Sequence, residues 1–456
     1  MSKHGDEGSR ATRRGFLTGA AGLAAVAGAT LARDAATPAL AKANDPAPSE
    51  AKTQIEPFWG KNQGGIVTPA QGHTYFAALD LTTEKREDVV ALLKAWTQAA
   101  ARLTAGKPID PFEKTELASN YDTSTTTVTT TTSEPTPTTV SLSDTGEAEG
   151  LSPARLTITF GFGAGLFEKD GKDRYGLAKH HPAALVDLPH FAGDELVPEH
   201  TGGDLSIQAC ADDVQVAFHA VRQLIRLADD VAQVRWAQTG FMPNFGTGQS
   251  PRNLMGFKDG TNNPSTADAE VMDKVVWVGS EGPDWMQGGS YMVVRRIRIA
   301  LEHWDRSKIP FQEQTVGRHK ASGAPIGKAN EHDALDLDAT DKDGNYIIAE
   351  NAHVRLAAAA SNDGAQILRR PYSYNDGVNF TAERWPPWRQ GMEYDAGLFF
   401  ICYQRDPRTG FVKVFEKMAK LDMLNQFVTH VGGGLFACPG GVAKGRYVGQ
   451  ALFESA

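Results

Sequence analysis

Strand-like and helix-like runs alternate along this chain, and they do so twice. Residues 74–81 read as a strand, and residues 86–101 carry Val89, Val90, Leu92, Leu93 and Trp96 at helical spacing. Residues 155–163 and 204–211 read as two further strands. A helix over 215–227 follows, with Val216, Phe218, Val221, Leu224 and Ile225 recurring at helical intervals. The rhythm resumes with strands at 290–299 and 396–403 and a helix at 411–424. This is an α+β pattern. It predicts two similar halves, 55–245 and 246–456, and 456 residues leave room for two domains of the usual size of about 100–200 residues.

Two stretches stand outside the rhythm. At the N-terminus, Arg13 and Arg14 directly precede a weakly apolar, Ala/Gly-rich run over 16–31. Ala41-Lys42-Ala43 then offers a small-x-small cleavage site, with Ala39-Leu40-Ala41 as the alternative. Residues 1–43 therefore read as a twin-arginine export signal, and the Pro/Ala-rich residues 44–54 as a linker. The export machinery is an expected partner, and the expected location is secreted, outside the cytoplasm. That route carries folded proteins, commonly with a cofactor already inserted. The second stretch, 121–147, is dominated by Thr and Ser and contains no Lys or Arg, so it has little to bury and reads as a mobile surface insertion.

Charge and cysteine content exclude several classes. Without the first 43 residues, the chain keeps 40 basic and 52 acidic residues, a net charge of −12. Such a balance argues against nucleic acid or an anionic membrane as the main partner. No segment offers about 18 uncharged apolar residues in a row, so no stable membrane span is expected. Cys210, Cys402 and Cys438 form no CxxC pair, and an odd number cannot all pair within one chain.

The segment that carries chemistry is Gly256-Phe257-Lys258-Asp259-Gly260-Thr261-Asn262-Asn263-Pro264. Glycine admits backbone angles that other residues avoid, and Asn-Asn-Pro favours a turn. The result is a tight loop presenting the Asp259 carboxylate, a candidate proton-transfer group; an ordinary Asp-Gly turn is the alternative. Further on, His353 sits among small and apolar neighbours. Arg369 and Arg370 precede Pro371, and Asp395 opens an apolar strand at 397–402. Spacing alone does not single out His353 over His303, His319 or His332.

Taken together, these segments resemble the dye-decolorizing peroxidases, a haem-binding family, and in particular its exported bacterial branch. The family's Gly-x-x-Asp-Gly loop is Gly256 to Gly260 here. Supporting matches include Leu188-Pro189-x-Phe191-x-Gly193-Asp194, Gly202-Gly203-Asp204-Leu205 and Gln208-Ala209-Cys210-Ala211-Asp212-Asp213. Gly288-Gly289-Ser290-Tyr291, Gly317-Arg318-x-Lys320-x-Ser322-Gly323-Ala324-Pro325 and His353-Val354-Arg355-Leu356 continue the series. The resemblance spans residues 55–456 apart from the Thr-rich insertion.

What the resemblance implies is two ferredoxin-like domains with antiparallel sheets, binding one haem b per chain mainly in the second. His353 is then the axial ligand to iron, Asp259 the acid/base and Arg369 the catalytic arginine. Gly260, Thr261 and Asn262 line the haem, and Asp395 accepts a hydrogen bond from His353, which makes a ligand more basic. Relatives often carry Asn-Pro-Arg after the His-x-Arg-Leu segment, with the arginine near a haem carboxylate; Ala357 to Ala360 occupy that place here.

The implied substrates are hydrogen peroxide and a small or bulky aromatic reductant. Tyr374, Trp385, Trp388 and Tyr394 are candidates for relaying electrons to bulky dyes, or for ordinary packing. Aspartate ordinarily ionises near 3.9 and histidine near 6.5. A carboxylate base therefore implies activity favouring acidic pH, with burial acting to raise that limit. The alternative function is an exported haem-handling protein that releases iron, as in the deferrochelatases. A homo-oligomer is compatible with the sequence.

Overall fold

All pairings between the named strands are antiparallel, and among the described residues the nine strands form one sheet. The computed structural model describes residues 55–109, 144–243, 250–382 and 390–455. The export-signal region, most of the Thr-rich stretch, Trp385 and Trp388 lie outside them. The first half supplies β1 (His73–Leu81), α1 (Arg86–Leu103), β2 (Thr157–Phe162), β3 (Leu205–Ala211), α2 (Val214–Arg226) and β4 (Ala232–Phe241). From the second half come α3 (Ala269–Val275), β5 (Ser290–Ile299), α4 (Leu301–Trp304) and α5 (Ile309–Val316). They are followed by α6 (His353–Ala357), β6 (Leu368–Arg369), β7 (Tyr372–Ala382), β8 (Gln390–Gln404), α7 (Phe411–Leu421), β9 (Val428–Cys438) and α8 (Gln450–Ser455).

The strand order is β5-β9-β2-β3-β1-β4-β7-β8-β6, and a further β5–β8 pairing closes the ring. The two halves therefore do not keep separate sheets. Their four-stranded portions meet at β2–β9 through Phe162 and Ala437, and at β4–β7 through Phe241 and Ser373, to make one closed barrel. Closure removes unpaired sheet edges and gives every strand an inner and an outer face.

Side-chain alternation assigns those faces. Inside, Phe76 and Ala78 of β1, Met292 and Val294 of β5, Phe399, Ile401 and Tyr403 of β8, and Phe436 of β9 share one core with Trp236 and Tyr372. Outside the first half, Ala77 and Leu79 of β1 and Ile207 and Ala209 of β3 pack against α1 and α2. Trp96 of α1 stacks on Phe160 at 5.3 Å and donates its indole N–H to Leu224 of α2. Asp213 caps α2 by accepting from the backbone N–H groups of Gln215 and Val216, a favoured use of Asp at a helix start. Outside the second half, Val293 and Cys402 pack with Phe411 and Ala419 of α7.

Three strands carry no clear alternation signal in the sequence: β4, β7 and β9. The tail of the Thr-rich stretch is also better fastened than its composition implies. The Asp144 carboxylate accepts from the Ile109 N–H and lies 3.4 Å from buried His219 of α2, whose other ring nitrogen is 3.2 Å from Glu147. All three cysteines are unpaired and buried. No described helix is long and apolar enough to cross a membrane.

Phe399 is fully buried in the barrel, with ring contacts to Phe76 and Trp236 of the other half. Phe399→Ala should destabilise the protein by about 3–5 kcal/mol, read as a lower denaturant midpoint at unchanged slope. A loss below about 1 kcal/mol would contradict a shared, closely packed interior.

Candidate active site

Beside the second half's outer face lies a cavity of about 280 Å³, lined entirely by residues between Asn253 and His430. One wall is the outer side of the sheet: Ile297 and Ile299 of β5, Leu398 and Phe400 of β8, Val428 and His430 of β9. Phe411, Phe415 and Met418 of α7 add to its apolar lining. Into this wall three polar elements converge: the 256–264 loop, β6 and α6.

His353 opens α6, a five-residue helix. Its Nδ1 lies 2.7 Å from Oδ2 of Asp422, which is almost wholly buried. With that contact made, Nε2 is the nitrogen free for the cavity, toward which about a third of the side chain (35%) remains accessible. Burial alone favours neutral imidazole, but the charge and hydrogen bond of Asp422 outweigh it and raise the His353 pKa above the usual value. Behind the helix, Gly317 ends α5 with φ +88°, and a Cβ there would stand 2.5 Å from Val354 Cγ2. A larger residue would be strained by its backbone and would push on the helix that carries His353.

Asp422 takes the place expected of Asp395. Along β8, Leu398, Phe400 and Cys402 face outward, whereas Phe399, Ile401 and Tyr403 face the interior. Asp395 shares the interior parity and pairs with Arg296 at 2.8 Å, so it neither lines the cavity nor touches His353. Asp422 is placed by the end of a helix. The helix expected to run to residue 424 stops at Leu421, because Asp422 turns to cap the next turn, accepting from the Leu424 N–H at 2.8 Å. Its contact with His353 crosses 69 residues. The only local signal was an Asp in an otherwise helical run.

On the loop, Asp259 accepts a hydrogen bond from Arg369 Nη1 at 2.8 Å. β6 sends successive side chains to opposite faces. Leu368 joins the barrel core, Arg369 lines the cavity, and Arg370 is buried against the Thr68 carbonyl and Gln71. Gly260, with φ +99°, also lines the cavity, and nothing lies within 4 Å of where its Cβ would stand, so a flat group can approach the backbone there. Thr261 and Asn262 line the cavity beside it.

Sequence reasoning missed the loop's anchor. Glu331 accepts from Thr261 at 2.9 Å and pairs with Lys258, gripping the loop on either side of Asp259. Burial disfavours the Glu331 charge, but Lys258, Ser250 and Thr261 together outweigh it and hold the carboxyl at about 2. His430 is driven the other way: burial, with some repulsion from Arg295, lowers its pKa to about 3, so it is neutral over the ordinary pH range. Arg318 lines the cavity and donates through Nη1 to the Gly323 and Glu331 carbonyls. Of the aromatic relay candidates, Tyr374 is buried in the barrel beneath the Arg296 guanidinium, 4.4 Å from its ring centre, away from the cavity.

An imidazole backed by a carboxylate shares one largely apolar cavity with a carboxylate–guanidinium pair. Comparison with known proteins decides the family. The chain matches the Dyp-type peroxidase N-terminal domain over residues 63–242 and the C-terminal domain over 250–443. It belongs to the Dyp-type peroxidase family. The enzyme is therefore a haem peroxidase. It is 36% identical to a dye-decolorizing peroxidase of Thermobifida fusca over the whole of both chains. It is also 34% identical to a deferrochelatase of Escherichia coli over 97% of each. Among solved structures, a DyP-type peroxidase from Streptomyces coelicolor is 39% identical with a TM-score of 0.74, over 89% of this chain and 99% of that one. Ferric DtpA from Streptomyces lividans, at 38% identity, has the same TM-score and coverage.

Two measurements test the arrangement. In haem-free peroxidase, Asp422→Asn should lower the His353 pKa measured by NMR, and Asp395→Asn should leave it in place; the reverse pattern would restore Asp395 as the partner. Glu331 stabilises the fold fully above the ordinary glutamate range near 4.5, and that contribution is lost as pH falls toward about 2. Glu331→Gln should therefore flatten the acid loss of stability between those values in denaturation experiments. An unchanged acid limb would show that Glu331 is not held as the geometry indicates.

Proposed function

We propose that this peroxidase binds haem in the second-half cavity and reduces hydrogen peroxide with Asp259 as acid/base, Arg369 as the charge-stabilising cation and His353 as the residue that would hold the haem iron. The observation that carries the reading is the convergence of these three side chains, with Asp422 behind His353, on one apolar cavity. The donor set fits the group: the available imidazole nitrogen suits iron, the apolar walls suit the macrocycle, and Gly260 leaves one face open. Arg318 is the cation available to a haem carboxylate, in the absence of an arginine among residues 357–360.

When bound, haem would supply the redox-active iron through which hydrogen peroxide, the oxidant, draws electrons from a reductant. The chain supplies geometry and charge. Asp259 accepts the proton from the near oxygen of hydrogen peroxide and returns it to the far oxygen, so that water departs. Arg369 stabilises the charge that builds as the O–O bond lengthens. Asp422 holds the His353 ring in one orientation and increases its basicity. The four strands of the first half, and the four long strands β5, β7, β8 and β9 of the second, are each ordered as in a ferredoxin-like unit, 4-1-3-2, and we read the halves as two such modules fused into the barrel. We place the protein outside the cytoplasm, exported on the strength of Arg13-Arg14 and the apolar run that follows.

The similarity to deferrochelatases supports a second reading, release of iron from haem. The decisive experiment is an absorption spectrum of the haem-loaded protein before and after an equimolar addition of peroxide, beside Asp259→Ala and His353→Ala, with a parallel assay of iron release without peroxide. Peroxidase action predicts a rapid spectral change in the wild type. Asp259→Ala should slow it about 10²–10⁴-fold, and His353→Ala should abolish it together with axial ligation. Iron release with no response to peroxide would favour the second reading. Activity that peaks well above neutral pH would count against an aspartate base.

A further inference from the structure

Asn263 closes the catalytic loop, and its side chain makes an unusual pair of contacts. Its Nδ2 donates to the Arg369 carbonyl at 2.8 Å, and its Oδ1 accepts from the Arg369 N–H at 2.9 Å. β6 is only two residues long and pairs with β8 on one side, Leu368 with Tyr403 and Arg369 with Cys402. The neighbouring Arg370 N–H points to Ile401 of β8. The Arg369 peptide groups thus face away from β8, and the Asn263 amide meets them as a neighbouring strand's peptide would, one donor and one acceptor in register.

The loop is therefore tied to Arg369 twice. At its front, Asp259 pairs with the guanidinium; at its back, Asn263 holds the backbone. The turn between is short, with the Asn263 N–H bonded to the Gly260 carbonyl at 2.9 Å. On its far side the loop is fixed by Glu331. The front contact is a side-chain pair at the cavity, made by the same groups that would engage a substrate. The back contact lies outside the reacting centre.

We infer that Asn263 is a positioning residue that fixes the separation of Asp259 and Arg369, so that both groups meet the same peroxide molecule. The inference rests on the peroxidase reading for its chemistry, but the clamp itself is a property of the polypeptide. A misplacement of about 1 Å between reacting groups can cost on the order of 100-fold in rate.

The test compares wild type, Asn263→Ala and Asn263→Asp, with two kinds of readout. In the haem-free protein, hydrogen exchange at the Arg369 amide should accelerate in Asn263→Ala. In the haem-loaded protein, kcat/KM for hydrogen peroxide should fall about 10- to 100-fold, while kcat/KM for the reductant and the haem content stay within twofold. Asn263→Asp should resemble Asn263→Ala when ionised. It should close the gap to wild type as pH falls, because a protonated carboxyl again offers one donor and one acceptor.

Unaltered peroxide kinetics in Asn263→Ala, or an equal fall for both substrates, would overturn the inference; so would unchanged exchange at Arg369. If the wild-type protein itself ignores peroxide, the peroxidase reading fails. The exchange result then still decides whether the clamp exists.

Discussion

The two-faced alternation of β8 is the constraint on which the rest depends. Barrel closure leaves this strand paired on both sides, with β5 along one edge and β6 and β7 along the other. Each side chain must then face either the shared interior or the outer surface, with nothing between. Phe399, Ile401 and Tyr403 bind the two halves together from within. Leu398 and Phe400 form the cavity wall on the other side. The same parity, carried across to β6, sends Leu368 inward, Arg369 to the cavity and Arg370 into a buried hydrogen-bonded niche.

The polar groups of the cavity are held by partners at its wall or behind it. Asp422 fixes His353, Asn263 fixes the backbone of Arg369, and Glu331 grips Lys258 and Thr261 on either side of Asp259. Each partner is well shielded or directed at backbone, where a hydrogen bond is less weakened by water. This division suits an enzyme whose cofactor performs the oxidation and whose polypeptide must only place a base, a cation and a ligand.

Much of this was legible in the residue order. Strands 290–299 and 204–211 and both long helices of the first half lie within a residue or two of their expected places, because amphipathic spacing is a local property. The Gly-rich loop, His353 and Arg369 were found as motifs, and the structure brings them to one cavity. β4, β7 and β9 were missed; β4 is largely exposed and shows no apolar alternation, and β9 is rich in glycine. Asp395 was expected from the family resemblance; side-chain parity turns it to the other face of β8, where it pairs with Arg296.

By itself, then, the sequence determined the α+β character, the family and the motif residues that line the cavity, since those reside in local pattern and short motifs. Only the tertiary structure decided that the two halves share one closed barrel, that Asp422 rather than Asp395 supports His353, and that Asn263 and Glu331 hold the loop. Those contacts join residues 69, 106 and 70 positions apart. They depend on which face of a strand or end of a helix a side chain occupies once the sheet has closed, and no local pattern carries that information.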